Sequence, residues 1–419
     1  MKKLKRVISL LIAAAMVTAI VSCKKEITAE DLMANISEAD ASGLYLDDGF
    51  SNYYCVAAFK MLESQYSSDG PNVVISPLAT FFNLSMLSNG ASGWTKTQLE
   101  KSLSNSFSTD VLNTYMHSIT ENNVNNETAK LYFENAMWFN ADKNIEVNND
   151  FLVAAKTFYD ASAFRETFSA TAAGNINNWA SNKTDMYVEN IVKDVPSDLS
   201  IFMQNITVMD ADWESPISPE NVLDGVFTTP DAVEQNVQMM SSYEAVYIGD
   251  DKNVDGFAKK YAGGNYAFIA MIPKYESKNA LVTFINYLAQ NRNFRNFIDD
   301  RKDYRIVDAS IPKFSCEYSG GIKEMVKPLN VDAVFSPESA SLNNIGTCDE
   351  KLYISDVNIY TGLNVTERGT SKGTGANVNN TAVATNAVPV SLNRPFVFAV
   401  VDTKRYLPII LGAVNSVKD

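Results

Sequence analysis

A single histidine limits the hydrolytic chemistry this chain can host. His117 stands in Tyr115-Met116-His117-Ser118, and any Ser-His-Asp or Cys-His site would have to use it. No Gly-x-Ser-x-Gly elbow is present, and no cysteine lies near His117 in sequence. Gly369-Thr370-Ser371-Lys372-Gly373-Thr374-Gly375 superficially resembles a phosphate loop. It lacks the Gly-Lys-Ser/Thr order, and no helical pattern follows it. A zinc site with one histidine would need cysteines or carboxylates in a motif that is not there. The residue types therefore point away from an enzyme, with neither cofactor nor metal expected. Cys55, Cys316 and Cys348 show no short metal-binding spacing and cannot all pair internally, so they read as buried free thiols.

One segment stands apart. Arg368 to Ala387 contains no proline and no aromatic residue, and apart from Arg368 and Lys372 it consists of Gly, Thr, Asn, Ser, Ala and Val. Such a stretch buries too little apolar surface to order itself, which predicts an exposed loop. Long loops of this kind in compact domains usually carry function.

The elements that must hold this loop follow from the rest of the chain. With 419 residues, 46% hydrophobic and 20% charged, a large packed core is available. The net charge of −14 with no basic patch argues against a nucleic-acid partner. Helical spacing over Phe50–Gln65 is followed by a short strand, Val73–Ile75, and a buried helix from Pro77 to Leu87. Leu131–Phe139, Asn205–Val208, Tyr266–Ile272 and Arg305–Pro312 read as strands, and Ala172–Lys183 as a helix. The last third is nearly all strand: Leu352–Tyr360, Pro395–Asp402 and Leu407–Asn415. The class expected is α+β, with no second domain boundary.

At the N-terminus, Lys2, Lys3, Lys5 and Arg6 precede an apolar run from Val7 to Val21, the pattern of an export signal. Ile20-Val21-Ser22-Cys23 resembles a bacterial lipobox, which implies acyl chains on Cys23 and a stable anchor. The expected organisation is a signal peptide over residues 1–22, a polar tether over 23–45 and one domain over 46–419. The expected location is the bacterial outer membrane, facing periplasm or medium.

Several segments, in order, resemble those of the serpin family. They include Asn72-Val73-Val74-Ile75-Ser76-Pro77-Leu78, Asn89-Gly90-Ala91-Ser92-Gly93-Trp94-Thr95, Asn135-Ala136-Met137-Trp138-Phe139, and Asn205 with Trp213 eight residues on. Val237-Gln238-Met239-Met240, Ile311-Pro312-Lys313-Phe314 and Val334-Phe335-Ser336 continue the series. It closes on Val390-Ser391-Leu392-Asn393-Arg394-Pro395-Phe396-Val397-Phe398 and Leu407-Pro408-Ile409-Ile410-Leu411-Gly412. The resemblance implies a serpin fold with three β-sheets, eight or nine helices and an exposed reactive-centre loop. It also implies a suicide substrate: a protease cuts the loop, and the part before the cut enters the main sheet as a new strand.

That mechanism makes demands on the loop. A central strand excludes proline, and the first one after Glu367 is Pro389. Glu367, Gly369 and Thr370 match the family's inhibitory hinge. Lys372 does not; the family usually has alanine there, on the face that turns inward. A buried unpaired ammonium costs several kcal/mol unless it snorkels to water. The usual spacing from Glu367 puts the cut at Val383-Ala384, whereas counting back from Pro395 gives Ala384-Thr385; the hinge count is preferred. A small aliphatic residue before the cut implies elastase-like serine proteases as targets, with cysteine proteases a second class, and a monomeric inhibitor. Ser76, Asn205 and Trp213 are expected in the region that opens the sheet. Ala79 and Ile359 stand where many serpins have serine and histidine. Lys372 and the glycines after it support the alternative, a non-inhibitory serpin-fold surface lipoprotein.

Overall fold

The computed structural model describes residues 24–41, 47–121, 123, 125–250, 252–370 and 386–418. Eight α-helices occur among them: α1 (Asp48–Gln65), α2 (Pro77–Gly90), α3 (Gly93–Ser104), α4 (Thr109–Glu121), α5 (Asn149–Tyr159), α6 (Ala172–Lys183), α7 (Ala280–Leu288) and α8 (Asn293–Asp299). The strands are β1 (Glu30–Asp31), β2 (Val73–Ile75), β3 (Ala129–Asn140), β4 (Glu146–Val147), β5 (Ser162–Glu166), β6 (Ile201–Ala211), β7 (Val222–Thr228), β8 (Glu234–Tyr247) and β9 (Val254–Lys260). They continue as β10 (Tyr266–Pro273), β11 (Lys302–Pro312), β12 (Phe314–Gly321), β13 (Gly346–Thr347), β14 (Val357–Val365), β15 (Val388–Ser391), β16 (Phe396–Asp402) and β17 (Pro408–Val414). The class is α+β, and the strands form three sheets.

The main sheet has the order β1-β5-β3-β6-β14-β12. Its inner face packs on the large core through Leu131, Met137, Met203, Met209, Ile359 and Leu363. Its outer face is covered by α6, whose Ile176, Trp179 and Ala180 share a smaller core with Trp138, Ile206 and Val208. Because both faces are buried, β6 reads as a nearly continuous buried run rather than as an alternation. That explains why only Asn205–Val208 stands out in the sequence while the strand runs from Ile201 to Ala211.

The α2 helix begins with Ser76 as N-cap, whose hydroxyl accepts from the Ala79 N–H at 3.0 Å. It is almost wholly buried on every side, with Asn83 among its buried polar residues, as an interior helix can be. The expected strand Leu352–Tyr360 needs correction. Residues 352–356 are not strand, and pairing starts at Val357 and runs on to Val365. Leu352 and Ile354 are buried, with the Ile354 N–H donating to the Val334 carbonyl at 3.1 Å, so their apolar character reports packing and not a ladder.

Residues 24–41, which composition alone reads as a tether, lie against the domain. β1 pairs with β5 at the edge of the main sheet. The carboxamides of Asn175, Asn178 and Asn182, on one face of α6, hydrogen-bond to backbone groups of Lys25, Glu26 and Thr28. Lys156 Nζ donates to the carbonyls of Met33 and Ile36.

Candidate functional site

Two parallel strands meet in the middle of the main sheet. β6 and β14 pair from Met203–Val357 to Val208–Gly362. Above Val208 the ladder stops, although β6 continues to Ala211 and β14 to Val365. The chain leaves β14 and turns back at once: the Thr366 N–H donates to the Gly369 carbonyl at 2.8 Å. Gly369 then bridges Asp212 in antiparallel sense. The Thr370 N–H donates to the Ala211 carbonyl at 2.8 Å, and the Trp213 N–H to the Arg368 carbonyl at 2.7 Å. The hinge is therefore already docked on the end of β6, above a seam that is closed.

Gly369 is required by this approach. Its φ is +156°, and a Cβ there would overlap the Ala211 carbonyl oxygen and crowd Asp212 Cα. Thr370 is fully buried, and its carbonyl accepts from the Tyr187 hydroxyl at 3.1 Å. Its own hydroxyl has no hydrogen-bond partner among the described residues. Burial holds the nearby Tyr261 hydroxyl far above its ordinary pKa.

Trp213 forms the floor beneath the hinge. Its ring stacks on Tyr261 at 4.6 Å, and its Nε1 donates to the Thr366 carbonyl at 2.9 Å. Lys259 Nζ lies 5.5 Å from the ring centroid and pairs with Glu244 at 2.6 Å, both well buried. Two exposed-to-half-buried ion pairs hold the hinge from either side. Glu367 meets Lys313 at 2.7 Å, which lowers the Glu367 pKa, and Arg368 forks onto Asp212 at 2.5 and 3.1 Å.

Lower in the seam the character changes. Asn205 Nδ2 donates to Asn135 Oδ1 at 2.8 Å, and the Thr207 hydroxyl donates to Asn205 Oδ1 at 2.8 Å. Asn83 on α2 donates to the Ala79 carbonyl at 2.8 Å and reaches Asn135 at 3.4 Å. The Ser76 hydroxyl, one turn earlier, donates to the Ile409 carbonyl at 2.9 Å. Thr361, opposite Thr207 across the seam, has a buried hydroxyl with no partner among the described residues. Ala79 and Ile359 face this region, with Ile359 opposite Asn205.

Of the residues singled out in the sequence, Trp213, Glu367, Gly369 and Thr370 come together at the top of the seam, and Asn205 lies midway down it. Ser76 caps α2, whose Asn83 reaches Asn135, the partner of Asn205. Lys372, Val383, Ala384 and Cys23 lie outside the described residues. Asn83, Tyr187, Asp212 and Tyr261 carry no local sequence signal, because each is brought in from a different part of the chain. His117 sits on α4 with its Nε2 3.6 Å from Glu121, away from any nucleophile pattern. Cys55, Cys316 and Cys348 are free; burial pushes the thiols of Cys55 and Cys316 up to about 12, which makes them poor nucleophiles. Among the described residues no group of His, Cys, Asp and Glu could hold a metal ion.

Comparison with known proteins gives one answer. A family profile described as serpin (serine protease inhibitor) matches residues 51–417. The chain is similar to the crystal structure of a thermophilic serpin, tengpin, in its native state: TM-score 0.85, 31% identity, covering 93% of this chain and 100% of that one. It is 26% identical over 355 residues to serpin A3-2 of Bos taurus, covering 82% of this chain and 83% of the relative. It is 23% identical over 373 residues to alpha-1-antichymotrypsin of Pongo abelii, covering 86% of each.

Proposed function

The chain belongs to the serpin family, whose members are generally protease inhibitors, and from that premise we propose that it traps elastase-like serine proteases as a suicide substrate cut at Val383-Ala384. The target's catalytic serine attacks the Val383 carbonyl, the bond to the Ala384 nitrogen breaks, and the new amine leaves with a proton. An ester joins Val383 to the protease. Insertion of the loop then carries the ester away before water can reach it.

The observation that carries this reading is the register of the docked hinge. Gly369 opposite Asp212 on β6, and Thr366 turned back on Gly369 beside β14, are two independent pairings. Extended residue by residue, they agree. In an inserted loop Thr374 would fall between Thr207 and Thr361, Ala376 between Asn205 and Ile359, and Val378 between Met203 and Val357. Thr374 would give the orphaned Thr361 hydroxyl a partner. Asn380 would then reach the level of Ile201, the first residue of β6, so an ester on Val383 would emerge just past the far end of the sheet.

The test is a denaturing gel of the soluble form, lacking residues 1–23, mixed with an elastase. A band at the summed mass that survives SDS is expected; a chain merely clipped at the loop would overturn the trap. Val383→Arg is expected to redirect cleavage toward trypsin-like enzymes.

One observation favours a second reading, a serpin-fold lipoprotein that is cut without trapping. The same register, carried on into an inserted loop, would put Lys372 between Met209 and Leu363, both in the main core. A bare ammonium there opposes insertion by several kcal/mol. Lys372→Ala separates the two: conversion of a substrate into an inhibitor assigns the failure to that one side chain. For location, the lipobox-like Ile20-Val21-Ser22-Cys23 supports a lipid-anchored outer-membrane protein. Incorporation of labelled palmitate that Cys23→Ser abolishes is the expected result.

A further inference from the structure

The top of the seam carries a feature that loop insertion as such does not require. Consecutive hinge residues reach to opposite sides of the opening. Glu367 pairs with Lys313, which joins β11 to β12 on the β14 side, and Arg368 pairs with Asp212, which directly follows β6. The two contacts differ in kind. Glu367–Lys313 is a single contact between side chains about a third exposed or more. Arg368 presents Nε and Nη2 to the two oxygens of Asp212, and these side chains are 25% and 17% exposed. A planar two-point fork fixes direction as well as distance, which a lysine cannot do. The carboxylate holds the Arg368 guanidinium still further above its ordinary pKa, so it stays charged at any working pH.

Asp212 is a rigid post. Its N–H donates to the Thr128 carbonyl at 2.8 Å, and its carbonyl accepts from the Ala262 N–H at 2.9 Å. The next residue, Trp213, is stacked on Tyr261. A side chain fastened to this post fixes where the hinge lies along β6. It also fixes the register, since Gly369 must then face Asp212.

We propose that the Arg368–Asp212 fork is a clip that holds the hinge docked in the insertion register, so that the loop zips in without first searching for its alignment. Arg368 is a positioning residue; it touches neither the target protease nor the reactive bond. The clip sets how the acyl-enzyme divides between capture and hydrolysis. It also keeps the top of the seam occupied against any other strand. The first consequence rests on the inhibitor reading, and the second does not.

Two measurements on the soluble form test it. The first is the number of inhibitor molecules consumed per elastase molecule inhibited. Arg368→Ala is expected to raise it about three- to tenfold, Arg368→Lys to fall between Ala and wild type, and the exchange Arg368→Asp with Asp212→Arg to recover most of the loss. The second uses a synthetic peptide of residues 370–383 and follows the rise in melting temperature as it anneals into the uncut protein. Without the clip the hinge yields the top of the seam, and annealing is expected to quicken by a similar factor. Equal annealing rates in Arg368→Ala and wild type would overturn the clip, as would a Lys variant no better than Ala in both measurements. If wild type itself never traps elastase, the inhibitor reading fails on its own, while the annealing rates still decide the clip.

Discussion

The top and the middle of the β6–β14 seam are built on opposite rules. At the top, large rings and charges immobilise a segment that is already in place: Trp213 on Tyr261, Arg368 on Asp212, Glu367 on Lys313. In the middle, small polar groups from three elements share few hydrogen bonds, and Thr361 on β14 offers a hydroxyl that nothing described satisfies. A parallel ladder between β6 and β14 closes this middle, but the groups beside it are of the kind that a further strand could complete. The difference teaches that starting and finishing insertion are separate structural tasks. The first is nearly done in the resting molecule; the second awaits the cut.

The comparison can be broken most severely at Gly369. Gly369→Val sets a branched side chain against the Ala211 carbonyl and should undock the hinge, raising the inhibitor consumed per protease by about tenfold or more. An unchanged value would show that docking is irrelevant to capture. Next in size, Trp213→Ala removes a fully buried ring from the top and should lower resting stability by about 3–5 kcal/mol in denaturant titration.

The middle should respond in the reverse sense. Thr361→Val deletes an orphaned hydroxyl, so the uncut protein should be unchanged or firmer by up to ~1 kcal/mol. The rise in melting temperature on loop cleavage should shrink, because the partner for Thr374 is gone. A resting protein made much weaker would mean that the hydroxyl is bonded after all.

Acid gives the smallest effect. Lys313 lowers the Glu367 pKa, so its stabilisation is complete above the ordinary glutamate value and is lost as pH falls through the lowered one. Both side chains are partly exposed, so the loss should be a fraction of a kcal/mol, seen as a small drop in melting temperature that Glu367→Gln removes.

Much of the scaffold was legible in the sequence, and the reasons are local. β2 and α6 fall where the residue pattern puts them, Val73–Ile75 and Ala172–Lys183, and α1 differs only at its start. The helical spacing of apolar residues over Phe50–Gln65 is a short-range signal, and Asp47 caps the helix it predicts. α3, α4, α5, α7 and α8 went unread; much of their stability comes from tertiary packing. At the site, Trp213 and the Glu367–Thr370 hinge were visible through a resemblance. Asn83, Tyr187 and Asp212 were not. An asparagine gives no sign that it will be buried beside two others, 52 and 70 residues away in the chain, until the sheet brings them together.

The docking of residues 25–31 has a consequence for how the molecule would sit on a membrane. If Cys23 carries lipid as proposed, Lys25 lies at most about 7 Å of chain beyond it. Lys25 is itself held to α6 through Asn182 and to Glu189 at 2.5 Å. Such a leash has almost no slack. The bilayer would lie close beneath one end of α6, and the whole body would take a single tilt. Any protease would then have to approach from the directions that this fixed posture leaves open, so geometry at the surface would screen targets before the bait sequence is read.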